Sequence, residues 1–305
     1  MEELEVSIGI CAFNEAQNME NLLNFLRKEI GSKDEILIVV SGSTDGTDDI
    51  VRKMSVRDDR IRLIIEEERF GKSQALSKIL KEAKKDLILY LSADAYPVKG
   101  SIRKLVHAMK RDNLGLACAY PFPLNEDKGL VNKMGILLWS LHGEIMKELS
   151  FRDELKHASD MFCVRKGIVN NIPLNVINDD GYLAMMFKRK GLKVKLIEDA
   201  KVKIWSPDRI CEFLSQRRRI LYGHMINKRI LKESPNYMGY LLLSKSKLAL
   251  KVLIKTLTKK PYLLSALILF LVEIISYLMG ILDLMTEKDH KKWSIAYSTK
   301  RAYRS

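Results

Sequence analysis

Short apolar runs alternate with helix-like stretches over the first hundred residues. The runs are rich in Val, Ile and Leu and cover residues 6–12, 35–40, 61–65 and 87–91. A helical pattern follows each run, beginning near Glu15, Asp45, Lys72 and Val98. Strands that alternate with helices in this way predict an α/β fold with a parallel, doubly wound sheet.

The pattern changes in the rest of the chain. Between residues 120 and 166 the signals are weaker, and they predict a helix from about 128 to 149 and a strand at 160–164. Over residues 240–260, lysines recur every four residues among Leu, Val and Ile. This spacing predicts a basic amphipathic helix with one lysine face, formed by Lys247, Lys251, Lys255 and Lys259.

The next stretch, residues 262–282, is long enough to cross a bilayer as a helix. It contains thirteen Leu, Ile, Val and Phe residues. Each favours insertion by roughly 0.3–0.6 kcal/mol, against a cost of about 3 kcal/mol for the charged Glu273. A membrane helix is therefore predicted. Two alternatives stay open: an interfacial or re-entrant hairpin in which Glu273 pairs with a lysine of the preceding helix, and a helix buried in the main domain.

The distribution of charge favours a membrane over nucleic acid as partner. The chain has 52 Lys and Arg against 38 Asp and Glu, a net charge of +14, and residues 237–305 contribute +8 of it beside the most apolar stretch. Basic residues in that position suit anionic lipid. The four cysteines form no pairing or zinc motif, and the acidic N-terminus lacks a signal-peptide pattern. We therefore expect a catalytic domain in the cytoplasm, at the cell membrane.

Polar segments follow three of the predicted strands, where ligands of parallel sheets bind. The first is C-A-F-N-E at 11–15, the second S-G-S-T-D-G-T at 41–47 and the third S-A-D-A at 92–95. Each segment alone is equally typical of a helix cap or a turn. Together they give the candidate nucleotide-sugar-binding residues Ala12, Asn14, Glu15, Ser41, Gly42, Asp45, Ser92, Ala93 and Asp94.

In order and spacing these segments resemble family 2 glycosyltransferases, which typically carry P-x-Y-N-E, D-G-S-T-D-G-T and D-A-D. Two later segments extend the resemblance to residues 5–225: N-D-D-G-Y-L at 178–183 is similar to E-D-x-x-L, and Q-R-R-R-I at 216–220 to Q-x-x-R-W. The resemblance implies a GT-A fold, with a mixed, mostly parallel sheet flanked by helices. It also implies a nucleotide diphosphate sugar as donor and a divalent cation, Mg²⁺ or Mn²⁺, at Asp94.

The resemblance also implies roles in catalysis. Asp180, with Asp179 beside it, would be the general base that deprotonates the acceptor hydroxyl in one inverting displacement. Gln216 and Arg219 would lie near the acceptor and the diphosphate, although a solvated basic helix face is the structural alternative. Lys72 would reach a phosphate as a point charge.

Several residues depart from the family pattern. Cys11 replaces Pro, and Val40 and Ser41 stand where acids often contact the base and ribose, so the nucleotide is not readable. Ser92 replaces the first Asp of D-A-D, which leaves Asp94 as the sole carboxylate of that motif. Ile220 replaces the Trp of Q-x-x-R-W and removes a surface for stacking on sugar rings, which argues against a processive polysaccharide synthase.

These observations predict two parts. Residues 1–236 would form the transferase domain, with a nucleotide-sugar half to about 120 and an acceptor half from 121, and residues 237–305 the membrane segment with its basic tail. A transferase at a membrane suggests a lipid-linked or glycan acceptor. The missing acids leave a catalytically silent, membrane-attached sugar-binding module as the alternative. A sugar-nucleotide pyrophosphorylase is disfavoured because no Gly-rich basic phosphate loop opens the chain.

Overall fold

A computed structural model describes residues 5–291 and 296–301, which form a curled eight-stranded sheet flanked by helices. The first half alternates strands with helices: β1 (Val6–Ala12), α1 (Ala16–Glu29), β2 (Glu35–Ser41), α2 (Thr47–Arg57), β3 (Ile61–Glu66), α3 (Lys72–Glu82), β4 (Leu87–Ser92), β5 (Ala95–Pro97) and α4 (Ser101–Ala108). The second half contains β6 (Leu114–Pro123), α5 (Leu130–Phe151), β7 (Met161–Arg165), α6 (Asp179–Arg189), β8 (Lys193–Ile204), α7 (Ile210–Leu231), α8 (Met238–Ser244), α9 (Ser246–Lys259) and α10 (Leu263–Met285).

The strand order is β3-β2-β1-β4-β7-β6-β8-β5. Strands β1 to β4 are parallel to one another, as the alternating pattern predicts. In contrast, β7 runs antiparallel to both of its neighbours, and β5 runs antiparallel to β8. The predicted mixed, mostly parallel sheet is confirmed. The antiparallel β7 brings its first residues to the edge where β1, β2 and β4 end.

Successive side chains of a strand point to opposite faces, so the buried strands supply two hydrophobic cores. Ile8, Ile10 and Ile38 belong to one core, which α1, α2 and α4 cover. Leu37 and Val39 belong to the other, which α3, α5 and α6 cover. Because both faces are covered by helices, ligands can reach the sheet only at its edges.

The C-terminal helices pack on the second half of the domain. The predicted amphipathic helix is divided into α8 and α9 at Lys245. Three of its lysines face acids of α5: Lys251 lies 2.9 Å from Glu148, and Lys255 and Lys259 lie 2.8 and 3.4 Å from Glu144. The lysine face is therefore neutralised in large part by protein carboxylates.

Among the described residues, α10 is the one helix long and apolar enough to cross a membrane. It packs against α5 and α7 through a stripe of buried residues spaced three or four apart: Ser265, Leu269, Val272, Ser276, Gly280 and Asp283. Its opposite face is exposed and apolar, with Leu263 70% and Phe270 53% exposed. Contiguous exposed apolar surface of this kind is typical of an interaction site.

Candidate active site

The edge where β1, β2 and β4 end and β7 begins borders a cavity of about 230 Å³. The remaining walls are formed by the segment before α3 and the start of α3, by helix α7 and by the described residues after α10. Many of the residues singled out from the sequence line this cavity, namely Ala12, Glu15, Ser41, Lys72, Ser92, Ala93, Asp94, Gln216 and Arg219. Segments far apart in the chain thus meet as the predicted sheet requires.

Asn14, Gly42 and Asp45 do not line the cavity but shape the loops beside it. Asn14 adopts a φ of 52°, and its Oδ1 accepts a hydrogen bond of 2.8 Å from the N–H of Thr44. Asp45 Oδ2 accepts one of 2.9 Å from the N–H of Ala16 at the start of α1. Gly42 has a φ of 61°, a left-handed conformation that glycine adopts without strain. The first two loops are therefore tied together.

The end of the described chain closes one side of the cavity. Lys300 forms an ion pair with the buried Glu15 of the first loop, and burial lowers the pKa of Lys300 to about 8. The segment is anchored further out, since the hydroxyl of Tyr96 donates a hydrogen bond of 2.6 Å to the carbonyl of Arg301, and Arg301 pairs with Asp208. The described chain after α10 therefore returns to the edge where β1, β2 and β4 end.

Lys72 lies at the centre of the charged wall. Gly71, with a φ of 102°, turns the chain so that α3 begins at Lys72. The ammonium lies 3.2 Å from Asp179 Oδ1 and 4.9 Å from the ring centroid of Tyr90. Burial acts to lower the pKa of Lys72, but the surrounding carboxylates, chiefly Asp179, outweigh it and raise the pKa well above its usual value. Lys72 is therefore a permanent cation facing the cavity.

Two carboxylates share the floor of the cavity. Asp94 follows β4, and Asp160 directly precedes β7, where its carbonyl accepts a hydrogen bond of 2.9 Å from the N–H of Ser92. Burial, and after it the charge of Asp160, raises the pKa of Asp94 to about 6. Burial likewise raises the pKa of Asp160. The site holds negative charge that a cation would stabilise.

Asp179 and Asp180 occupy the first turn of α6, behind the cavity wall rather than on it. Asp179 is 2% exposed; one carboxylate oxygen pairs with Lys72, and the other lies buried without a hydrogen bond. Burial, and after it the charge of Asp179, raises the pKa of Asp180 to about 7. Asp180 is therefore a carboxyl that can exchange a proton near neutral pH.

Helix α7 divides its polar residues between two faces. Gln216 and Arg219, three residues apart and hence on one side, line the cavity. Arg217 faces α10, where its Nε donates a hydrogen bond of 2.5 Å to Glu273, and Arg218 forms an ion pair with Asp283. The alternative of a solvated basic helix face is therefore wrong. The alternative in which Glu273 pairs with a lysine is replaced by a pairing with Arg217, because α10 packs along α7.

The donor set of the cavity suits a divalent cation in part. Within residues 5–291 and 296–301, no group of three or more His, Cys, Asp or Glu side chains is arranged to hold a metal ion. Asp94 and Asp160 provide two carboxylates, and Mg²⁺ is usually held by one or two carboxylates together with phosphate oxygens of a substrate. The residues thus fit a cation whose coordination is completed by a diphosphate.

The charged residues of the cavity that sequence reasoning missed include Asp160, Arg69 and Lys300. Asp160 lies at the start of a predicted strand. If that strand is antiparallel, it begins at the edge where its neighbours end, and this position was the signal that could have identified Asp160. Arg69 lies over the ring of Phe13, with 3.9 Å between its guanidinium carbon and the ring centroid. No pattern in the sequence indicates that the tail carrying Lys300 reaches this edge.

Comparison with known proteins agrees with this geometry. The model of the family described as Glycosyl transferase family 2 matches residues 7–172. Glycosyltransferase AglE of Haloferax volcanii is 33% identical over 94 residues, which are 30% of this chain and 31% of that protein. The poly-beta-1,6-N-acetyl-D-glucosamine synthase of Staphylococcus aureus is 24% identical over 229 residues, 73% of this chain and 55% of the synthase. The chain thus spans about half, or less, of these relatives.

Solved structures show the same fold at low sequence identity. The mannosyltransferase PcManGT from Pyrobaculum calidifontis, in complex with GDP-Man and Mn²⁺, superposes with a TM-score of 0.65 and 18% identity, covering 93% of this chain and 88% of that one. Glucosyl-3-phosphoglycerate synthase from Mycobacterium tuberculosis, with Mn²⁺ and UDP-Glc, gives a TM-score of 0.54 and 18% identity over 73% of this chain and 79% of that one. Both neighbours are complexes with Mn²⁺ and a nucleotide sugar.

Proposed function

The chain belongs to glycosyl transferase family 2, and from this premise we propose an inverting transferase that moves a sugar from a nucleotide diphosphate sugar to a lipid-linked or glycan acceptor. The observation that carries the proposal is the charge arrangement at the sheet edge. The charged side chains that line one cavity include the carboxylates of Asp94 and Asp160 and the cations of Lys72 and Arg219, and a carboxyl with a pKa of about 7 lies behind the cavity wall.

On this proposal the donor binds by its diphosphate. Lys72 and Arg219 are cations on the cavity wall, and a guanidinium or ammonium stabilises phosphate oxygens by charge-assisted hydrogen bonds. Asp94 would hold the divalent cation. When bound, such a cation neutralises the charge that develops on the leaving diphosphate. Glu15 and Ser41, at the ends of β1 and β2, would contact the nucleoside.

Asp180 is the proposed general base. A base works best when its pKa lies near the operating pH, and the value of about 7 meets that condition. Asp179 contributes to this value through its charge while its own carboxylate is held by Lys72. A ligand that draws Lys72 toward a phosphate would weaken that ion pair. Asp180 would take the acceptor proton as the hydroxyl attacks the sugar from the side opposite the diphosphate.

The C-terminal part, residues 237–305, is proposed to attach the transferase domain, residues 1–236, to the membrane. The exposed apolar face of α10 supports this attachment. Because residues 296–301 return to the cavity, both ends of α10 lie on the side of the catalytic domain, which favours a helix lying along the membrane over one that crosses it. The four cysteines are unpaired, as suits the cytoplasmic face. An acceptor anchored in lipid would lie within reach.

A thermal-shift screen of nucleotide diphosphate sugars with Mn²⁺ or Mg²⁺ tests the donor. Ligands that bind only the folded state raise the melting temperature by mass action. One nucleotide diphosphate sugar should raise it by several degrees in the presence of metal, whereas the matching nucleoside monophosphate should not. A protein that responds to no nucleotide diphosphate sugar under any metal condition would contradict the proposal.

A further inference from the structure

The residue opposite Ser92 in the sheet is an acid. Strands β4 and β7 pair antiparallel, with Leu91 opposite Met161, and the pairing continues one step to Ser92 and Asp160. The N–H of Ser92 donates a hydrogen bond of 2.9 Å to the carbonyl of Asp160, and its hydroxyl donates one of 3.0 Å to Asp160 Oδ1. Directly opposed residues of an antiparallel pair have Cβ atoms about 4.5–5.5 Å apart. A carboxylate at position 160 can therefore reach nearly the same point in the cavity as a carboxylate at position 92.

We propose that Asp160, at the start of β7, is the second carboxylate ligand of the divalent cation. It would replace the Asp that the family pattern has at position 92, at the end of β4, where this chain has Ser92. Both Asp160 and Asp94 line the cavity that Lys72 and Arg219 also line. This inference rests on the proposed function, because it assumes that the cavity binds a cation with a nucleoside diphosphate.

The hydrogen bonds of Asp160 leave it suited to this role. Ser92 holds Oδ1 by a hydrogen bond, which fixes the orientation of the carboxylate. Ligand carboxylates are commonly oriented by such a neighbouring donor, and losing the donor weakens metal binding. Ser92 is thus assigned as the positioning residue of Asp160. Ser92 stands where the family pattern has an Asp, and Asp160 is not part of that pattern. The two residues therefore act together at the proposed cation site.

The test measures Mn²⁺ binding directly, by the enhancement of water-proton relaxation when Mn²⁺-UDP or Mn²⁺-GDP binds the protein. Asp160→Asn keeps an oxygen that accepts from Ser92 but removes the charge, and it should weaken Mn²⁺ binding at least about tenfold. The exchange variant Ser92→Asp/Asp160→Ser moves the carboxylate to β4 and keeps a serine opposite it. It should bind Mn²⁺ within about threefold of the wild type.

Glu35→Gln is the matched control. It makes the same change in another cross-strand pair, in which Ser7 Oγ donates a hydrogen bond of 2.5 Å to Glu35 at the opposite edge of the sheet, and it should leave Mn²⁺ affinity unchanged. Melting temperatures identify variants that fail to fold. Wild-type Mn²⁺ affinity in Asp160→Asn, with loss in Asp94→Asn, would overturn the assignment while leaving the proposed function intact. A wild-type protein that binds neither Mn²⁺-nucleotide would overturn both.

Discussion

The two acids at the start of α6 have separate environments despite being adjacent. Asp179 is held in an ion pair with Lys72, 3.2 Å away, whereas the pKa of Asp180 is raised to about 7. A base must accept a proton at the working pH, so the two residues are not equivalent. This difference supports Asp180, which the family resemblance already indicates, as the proposed base.

Asp180→Asn should lower turnover by about 10² to 10⁴, the usual contribution of a general base, while donor binding stays near that of the wild type. Single-turnover kinetics with the donor found by the screen give the measurement. Asp179→Asn should reduce turnover less. Normal turnover in Asp180→Asn, or a larger loss in Asp179→Asn, would refute the assignment.

The raised pKa of Asp180 also predicts the dependence of both rate and stability on pH. The base is deprotonated above its pKa, so kcat/KM should rise as the pH passes through about 7.

A carboxyl whose pKa is higher in the folded than in the unfolded state binds more protons in the folded state at pH values between the two pKa values. Its contribution to stability is therefore full below about pH 4 and is lost as the pH rises through 7. Asp180→Asn should flatten this part of the melting profile; an unchanged profile would contradict the burial argument.

Asp94 provides a test of how the cavity uses its charge. If its carboxylate acts through a cation, Asp94→Ala should weaken nucleoside diphosphate binding far more with Mn²⁺ than with EDTA. Calorimetric titration in the two buffers gives the comparison. Equal weakening in both would remove Asp94 from the metal site. In EDTA the substitution removes a like charge near the diphosphate, so diphosphate binding there should change little or strengthen.

At the scale of elements, α7 connects the cavity with the C-terminal helix. Gln216 and Arg219 face the cavity, while Arg217 and Arg218 bind Glu273 and Asp283 of α10. A helix that is polar on two sides needs a partner on each. The two acids of α10 are therefore explained by packing, since each neutralises an arginine of α7.

Breaking the ion pair of Arg217 and Glu273 should lower the free energy of unfolding, whereas replacing both residues with apolar ones should change it little. Glu273→Ala leaves Arg217, 9% exposed, without its partner and should lower the free energy of unfolding by about 1–3 kcal/mol, less than for a fully buried pair because Glu273 is partly solvated. Arg217→Leu/Glu273→Leu should recover most of that loss. Chemical denaturation measures both, and Glu198→Ala, in an exposed pair with Lys147, should cost less than about 1 kcal/mol.

At the scale of the whole molecule, α10 presents an exposed apolar face while three lysines of α9 are paired with acids of α5. Apolar contact should therefore dominate membrane binding. We expect the protein to sediment with membranes and to resist extraction by high salt, which screens only the electrostatic part. Quantitative release by salt would contradict this prediction and would show that the protein contacts the membrane through charge alone.

Single substitutions separate membrane binding from folding. Phe270→Glu changes a side chain on the exposed face of α10 and should release protein from vesicles while leaving its melting temperature near that of the wild type. Val56→Glu, at an 85% exposed position on α2, is the matched control and should leave vesicle flotation unchanged. Equal flotation of both variants would exclude the α10 face as the contact.

The sequence by itself determined the elements whose signal is local. Strands β1 to β4 were predicted within one residue of their observed ends. For β1, β2 and β4 the reason is that continuous apolar runs reflect burial on both faces of a parallel sheet. The polar segments after β1, β2 and β4 could then be predicted to lie together, since parallel strands end at the same edge of the sheet. Strands β5, β6 and β8 were missed. β8 alternates lysines with apolar residues, and its pairing depends on neighbours far away in the chain.

Only the tertiary structure decided what depends on strand direction and on contacts between distant segments. The reversal of β7 brings Asp160 beside Asp94, and no local pattern encodes the direction of a strand. The packing of α10 on α7 decides that Glu273 meets an arginine rather than a lysine, and the return of the tail places Lys300 at Glu15. Hydrophobic periodicity specifies which face of an element is buried, whereas the partner on that face is chosen by the packing of the whole chain.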